Sequence, residues 1–392
     1  MIYFDNAATT RVNPQVVSII SRSMETDFAN SGTVYRLGLE MKRKLENAEE
    51  EIAQLFSLPS HFRVVFTSSG SEANNLFIKG YAGTKKKIAS LGLEHSSVLE
   101  TLDFLRKEAG NCLTLSDFRV SGRFDQECFK KISDSKVKLL CLSHINNELG
   151  DLIHPMQVGK NGKAKAPEVK YFFDGVQALG KIPFNKKIWD YISGYSISAH
   201  KINGPKGIGA LIYDSRLVLT PIIHGGKQQA GIRSGTIPLP LILGFVEAIK
   251  IALRDLDSNM DLYRKLSKKL IEGLKELSEK NSNLNLRFNS EIEGDWCPSI
   301  VNFSFAPVEG EVVLHHLEAS DIFVGLGSAC SARAKEPSKI LLGLGLSEKE
   351  ARCSLRVSFD SNNCLEEVDR FIKEFDRVYK TLYPAFYINK SA

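Results

Sequence analysis

Apolar runs closing on small or polar residues recur through the first two thirds of the chain, separated by amphipathic stretches. They read "RVVFTSS" from Arg63, "KIASLGLEH" from Lys87, "VKLLCLSHI" from Val137, "VKYFFDGV" from Val169, "YSISAH" from Tyr195 and "GIGALIYD" from Gly207. Strand-length runs alternating with helix-length segments predict a mainly parallel sheet covered by helices on both faces, because parallel neighbours need a crossover between them. From Leu241 the pattern changes. Ile242, Phe245, Val246 and Ile249 fall at helical spacing, and the Lys- and Leu-rich segment from Leu262 to Lys280 continues as helix. "CPSIVNFSFA" and "SLRVSFD" then read as strands, followed by an amphipathic helix around Leu365 to Leu382. A chain of 392 residues exceeds one ordinary core, so a large α/β domain followed by a smaller α+β domain is expected.

Bulk properties narrow the function class. The formal charge of +5 is not gathered into a stripe, and direct nucleic-acid binding is not expected. Seven cysteines without CxxC pairs or metal-type spacing point away from a disulfide framework or a metal site and toward a reducing compartment. "MIYFDNAATT" lacks a basic region followed by an apolar core, so no signal peptide is expected. The apolar run Ile237 to Val246 is interrupted by Pro238 and Pro240 and is too short for a bilayer, so a cytoplasmic, membrane-free protein is expected.

The chemistry centres on "SISAHKINGPKGIGAL", Ser196 to Leu211, which places Lys201 at the end of a strand signal and ahead of a Gly/Pro turn. A lysine ordinarily belongs on a solvated helix face. Strand ends of an open α/β sheet are instead where such folds gather ligands. In "FTSSGSEANN" an apolar strand stops at Phe66 and small residues lead into a helix, the composition of a phosphate cup that Gly70 lets the backbone approach. In "YFFDGVQALG" Asp174 follows consecutive aromatics at another strand end. Taken singly, the first reads as a turn and the second as a helix cap. Together, an amine able to form a Schiff base, a carboxylate able to keep a pyridinium nitrogen protonated and a phosphate cup are the anchors that pyridoxal phosphate requires.

With "DNAATT", "EHSSVLET", "NNELG", "GIRSGT" and "GLGSACSARAKEPS" added in order, the chain resembles the cysteine desulfurases of the NifS/IscS type, within the class-V aminotransferases, from "YFDNAATT" to about Arg377. The resemblance implies the pyridoxal-phosphate fold-type I, with a seven-stranded-type, mainly parallel sheet. The large domain is expected over 15–255. The small domain is expected from 1–14 with 256–392, carrying the catalytic-cysteine loop.

The resemblance also assigns roles. Lys201 carries the cofactor as a Schiff base, Asp174 pairs with its ring nitrogen, and His95 stacks on the ring. Asn147 and Gln177 serve the phenolic oxygen or the nearby substrate. Gly70, Ser71, Ser198 and His200 hold the phosphate, and Thr236 reaches the phosphate of a partner subunit, which implies a homodimer. Asn30 and Arg356 grip the substrate carboxylate, a task suited to an arginine fork. Without the resemblance, His95 reads as a helix-start residue and Asn147 and Gln177 as polar loop residues.

Cys330 lies in "VGLGSACSARAK" among small and polar residues, a composition that predicts a mobile segment, with Arg333 and Lys335 following. Exposure and nearby positive charge favour thiolate. Cys112, Cys128 and Cys141 read as small buried hydrophobes. The reaction implied converts L-cysteine to L-alanine, with the sulfur left on Cys330 as a persulfide for a sulfur-acceptor protein, an iron–sulfur scaffold or a tRNA-thiolation relay.

Departures from the family pattern fall at Ser31 and Tyr35, where histidine and proline are frequent, at Lys227, where glycine is common, and in the stretch "AFYINKSA" after Pro384. That stretch is shorter than the tail by which housekeeping members dock a scaffold. A selenocysteine lyase or other class-V aminotransferase would not need Cys330 on a Gly-rich segment. A non-catalytic binding protein on the same fold should have lost Lys201, Asp174 or Cys330, and all are present.

Overall fold

The computed structural model describes residues 1–83, 86–109, 112–115, 132–326 and 337–388. The chain opens with a short strand, β1 (Ile2–Phe4), and two helices, α1 (Pro14–Thr26) and α2 (Arg36–Leu55). The strands β2 (Phe62–Thr67), β3 (Ile88–Leu91), β4 (Cys112–Leu115), β5 (Leu139–Ser143), β6 (Lys170–Asp174), β7 (Gly194–Ser198) and β8 (Gly209–Asp214) follow. Between them run α3 (Gly70–Ala82), α4 (Ser96–Ala109) and α5 (Pro155–Lys165). Two long helices, α6 (Leu239–Arg254) and α7 (Leu256–Lys280), lead into β9 (Asn285–Phe288), β10 (Ile300–Ala306), α8 (Gly310–Glu318) and β11 (Ile322–Val324). The chain closes with α9 (Lys339–Gly343), α10 (Glu348–Arg352), β12 (Ser354–Ser358) and α11 (Leu365–Ile388).

Every residue of β3, β5, β7 and β8 is buried, as expected for strands covered on both faces rather than alternating between core and water. The strands run β2-β8-β7-β6-β5-β3-β4 across a seven-stranded sheet. Neighbours from β7 through β6, β5 and β3 to β4 are parallel, and β8 alone lies antiparallel to both its neighbours. The register pairs Ser143 with Asp174 and Asp174 with Ser196, so the carboxyl ends of three parallel strands form one row.

Beyond α7 the chain builds a three-stranded antiparallel sheet, β12-β10-β9, and returns to the N-terminus through a parallel β1-β11 pair. Ile2 and Phe4 pack with Phe303, Phe305, Phe371 and Phe375 in one apolar cluster, while Phe173, Tyr195 and Phe245 belong to another. Ile340, Leu341, Leu346 and Ala351 join the latter. Among the described residues, no helix is long and apolar enough to cross a membrane.

Candidate active site

The row of strand ends opens into a cavity of about 490 Å³. Gly70, Ser71, His95, Asn147, Asp174, Gln177, Ser198, His200, Lys201 and Arg356 all line it. Asn30 and Thr236 do not, and both are exposed. Asn30 is turned to its own loop, where its side chain accepts from Gly32 N and its carbonyl from the Thr33 hydroxyl, each at 2.8 Å. Cys330 and Cys128 lie outside the described residues. Cys141, Cys297 and Cys353 are buried.

Lys201 reaches the cavity because β7 ends at Ser198 and a single 3₁₀ turn, Ala199–Lys201, turns the chain inward before β8 returns. Its Nζ donates to the carbonyls of Ala7 and Ala8 at 2.6 and 2.7 Å. Burial, then the positive charges of Lys181 and Arg356, pull its pKa down from 10.5 to about 7. That makes the amine a nucleophile near neutrality.

Asp174, at the end of β6, is buried and held by donors. Asn74 Nδ2 donates to its Oδ2 at 2.7 Å and the backbone N–H of Val176 to its Oδ1 at 3.0 Å. Asn74 is fixed in turn by Ser196, whose hydroxyl donates to Asn74 Oδ1 at 2.6 Å. His95 caps α4: its Nδ1 accepts the Ser97 backbone N–H at 3.1 Å, which leaves the proton of the neutral ring on Nε2. Burial lowers its pKa from 6.5, against the pull of Asp174 and with help from Lys201.

The start of α3 forms an anion cradle. Ser69 caps the helix by accepting from Glu72 N at 3.1 Å, and the first-turn N–H groups have no intrahelical acceptor. A Cβ on Gly70 would meet Val176 Cγ2 at 2.5 Å, and one on Gly209 of β8 would meet the Ser69 carbonyl carbon at 2.7 Å. Both glycines are needed for this close approach. Beside the cradle, Ser198 Oγ is buried with no hydrogen-bond partner among the described residues. An orphaned hydroxyl, a helix start and His200 are the donors a phosphate group takes, and a carboxylate and a lysine amine share the same cavity. These residues fit pyridoxal phosphate.

Arg356 enters from β12 and is buried. Its Nη1 donates to Asn147 O at 2.9 Å and its Nη2 pairs with Asp5 Oδ1 at 2.7 Å. Gly325 makes room for the pair, since a Cβ there would meet Asp5 Oδ1 at 2.6 Å and Arg356 Nη2 at 2.9 Å.

Several lining or supporting groups are absent from the sequence reading: Asn74, Glu94, Ser143, Glu148 and Lys181. Burial pushes Glu94 up to about 8 and Glu148 up to about 7, and each accepts a serine hydroxyl, from Ser143 and Ser338 respectively. Asn74 carried a readable signal, because Gly70, Ala73, Asn74 and Phe77 share one face of α3.

Aminotransferase class-V, a protein family, matches residues 2–371. A NifS/IcsS protein homolog of Lactobacillus delbrueckii subsp. bulgaricus is 32% identical over 384 residues, covering 97% of each chain. The cysteine desulfurase IscS of Rickettsia typhi is 34% identical over 379 residues, 94% of this chain and 88% of that one. Among solved structures, a NifS-like protein superposes with a TM-score of 0.87 at 29% identity, covering 97% of this chain and 100% of that one.

Proposed function

The chain belongs to the aminotransferase class-V family, and on that premise we propose the following reading of its cavity. The protein is a cysteine desulfurase that acts with pyridoxal phosphate on L-cysteine and releases L-alanine. The reading as a selenocysteine lyase or other class-V aminotransferase is not favoured, because full-length relatives are named cysteine desulfurases. The observation that carries the site assignment is the convergence of the Lys201 amine, the Asp174 carboxylate and the orphaned Ser198 hydroxyl in one cavity.

Pyridoxal phosphate, when bound, supplies an electron sink for charge developing at the substrate's α-carbon. The chain's own groups do the rest. Lys201 would hold the cofactor's aldehyde carbon, and its amine would move the substrate's α-proton, work for which a pKa near 7 suits it. Asp174, braced by Asn74, would hold the ring nitrogen, and His95 would lie against the ring. Gly70, Ser71, Ser198 and His200 would hold the phosphate, Gln177 and Asn147 would meet the phenolic oxygen or the substrate, and Arg356 would take the substrate carboxylate.

Cys330 is the sulfur acceptor. Its thiolate forms an S–S bond as the substrate's C–S bond breaks; the electron pair of the broken bond stays with carbon, which takes up a proton on the way to alanine. Asn30 acts on the substrate carboxylate only after its loop moves toward the cavity. We read the chain as a large unit, 15–255, and a small unit, 1–14 with 256–392, a division supported by the separate apolar clusters around Phe173 and Phe303 except over 340–351, whose Ile340, Leu341, Leu346 and Ala351 belong to the first. A homodimer completed by Thr236, a cytoplasmic location and delivery of sulfur to a scaffold or tRNA-thiolation protein belong to the same proposal.

Cys330→Ser tests it. The variant should bind pyridoxal phosphate and change its visible absorbance on mixing with cysteine, while alanine release falls at least ~10²-fold, since covalent nucleophiles act as indispensable units. Wild type treated with cysteine and alkylated should carry an extra sulfur on the Cys330 peptide alone. Alanine release from the serine variant at the wild-type rate would overturn the assignment.

A further inference from the structure

Lys181 is 4% exposed and sits behind the cavity wall rather than on it. It arrives there through Gly180, whose φ of +72° and lack of a Cβ, which would meet that of Ala252 at 2.9 Å, let the chain turn inward directly after the Gln177 turn. No carboxylate pairs with it among the described residues; its Nζ donates instead to Gln177 Oε1. Gln177 Nε2 donates to Ala7 O at 2.8 Å, the same carbonyl that accepts from Lys201 Nζ at 2.6 Å. Turning the amide over would set its NH₂ against an ammonium and its oxygen against a carbonyl. Lys181 and Ala7 therefore specify one orientation, and one amide hydrogen is left uncommitted among the described residues.

We propose that Lys181 is a positioning residue that locks the Gln177 amide with its nitrogen as the group offered to the cavity, so that the cofactor's phenolic oxygen meets a donor there and is favoured as the phenolate. This rests on the pyridoxal-phosphate reading above. The charged groups around Lys181 are Lys201 and Arg356, which repel it, and Asp360, which attracts it; the His200 imidazole, its own pKa drawn down to about 4, and the Cys297 thiol are its other titratable neighbours. Burial draws its own pKa down to about 8, and an amine donates to Gln177 in either protonation state. Loss of the cation and loss of the locked donor both make the phenolate harder to keep, so both act on the bound cofactor in one direction.

The test uses the holoprotein and two readouts other than turnover: the pH midpoint of the cofactor's visible absorbance band and the dissociation constant for pyridoxal phosphate. Lys181→Met should raise the midpoint by about one pH unit and weaken binding about tenfold, the size of one hydrogen bond to a charged group. Lys181→Arg should restore both. If the methionine variant does not fold, Lys181→Leu is measured in its place with the same expectation. A folded variant with the wild-type midpoint and dissociation constant would overturn the role of Lys181 while leaving the cofactor reading intact. Wild type that takes up no pyridoxal phosphate would overturn both.

Discussion

Nη2 of Arg356 donates to Oδ1 of Asp5 at 2.7 Å across 351 positions of sequence, with the arginine side chain 2% exposed and the aspartate 21%. Removing one partner of such a pair leaves a buried charge uncompensated. Asp5→Ala should therefore lower stability by about 3 kcal/mol. Gly325→Ala should do comparable damage by driving a Cβ between the partners, and the double variant should cost less than the sum. Denaturant unfolding of the four proteins checks this, and full additivity would refute it.

Ser198→Ala should have opposite effects on the apoprotein and the holoprotein. Its hydroxyl is buried without a partner among the described residues, so deleting it removes an uncompensated desolvation cost and should leave the apoprotein as stable or stabilised by up to about 1 kcal/mol. The same change should weaken pyridoxal phosphate binding about tenfold, the loss of one hydrogen bond to a charged phosphate. Thermal melts of the apoprotein beside a cofactor titration separate the two.

Uptake of pyridoxal phosphate by the apoprotein should rise with pH through a midpoint at about 7, where the Lys201 amine loses its proton. The neutral amine is the form that attacks an aldehyde. At an ordinary lysine pKa of 10.5 only about 0.03% would be neutral at pH 7, against roughly half here. Stopped-flow absorbance between pH 5.5 and 9 measures the midpoint; a rate still climbing tenfold per pH unit above pH 8 would contradict it.

Thr236 is exposed and off the cavity in the single chain, so Thr236→Ala should change the chain's stability by less than about 0.5 kcal/mol. If it serves a partner subunit's cofactor, it should nevertheless speed cofactor loss on dialysis. Light scattering should give a dimer for both proteins. A fully active monomer would count against the shared site.

How much of this was readable in the sequence varies residue by residue. The positions of Lys201 and Asp174 were legible because strand length, Gly/Pro punctuation and the parallel-sheet pattern locate the strand ends: Asp174 closes β6, Lys201 lies one 3₁₀ turn past β7, and the observed register sets Asp174 beside Ser196 of β7. The antiparallel setting of β8 was not, since an apolar run of six residues has no direction. Glu94 and Glu148 were hidden for a common reason. Charged residues default to the surface, and only contacts distant in sequence, such as Ser338 on Glu148 across 190 positions, make their burial tolerable. Asn30 shows the converse: a role drawn from resemblance falls on a residue that lies off the cavity in this conformation.

The β1-β11 pairing, Ile2 with Ile322 and Phe4 with Val324, also sets a clock on synthesis. The hairpin of β7 and β8 that presents Lys201 is local and can form as soon as it emerges. The Ala7 and Ala8 carbonyls that receive its amine hang from a strand whose partner is translated some 320 residues later, roughly 15–60 s at ordinary elongation rates. In the last third of that interval, between the synthesis of Asp214 and of Ile322, the nascent chain has all seven strands of the large sheet but an unfinished pocket. Competence to bind cofactor is thus acquired near release from the ribosome, when the first segment made is stitched to one of the last.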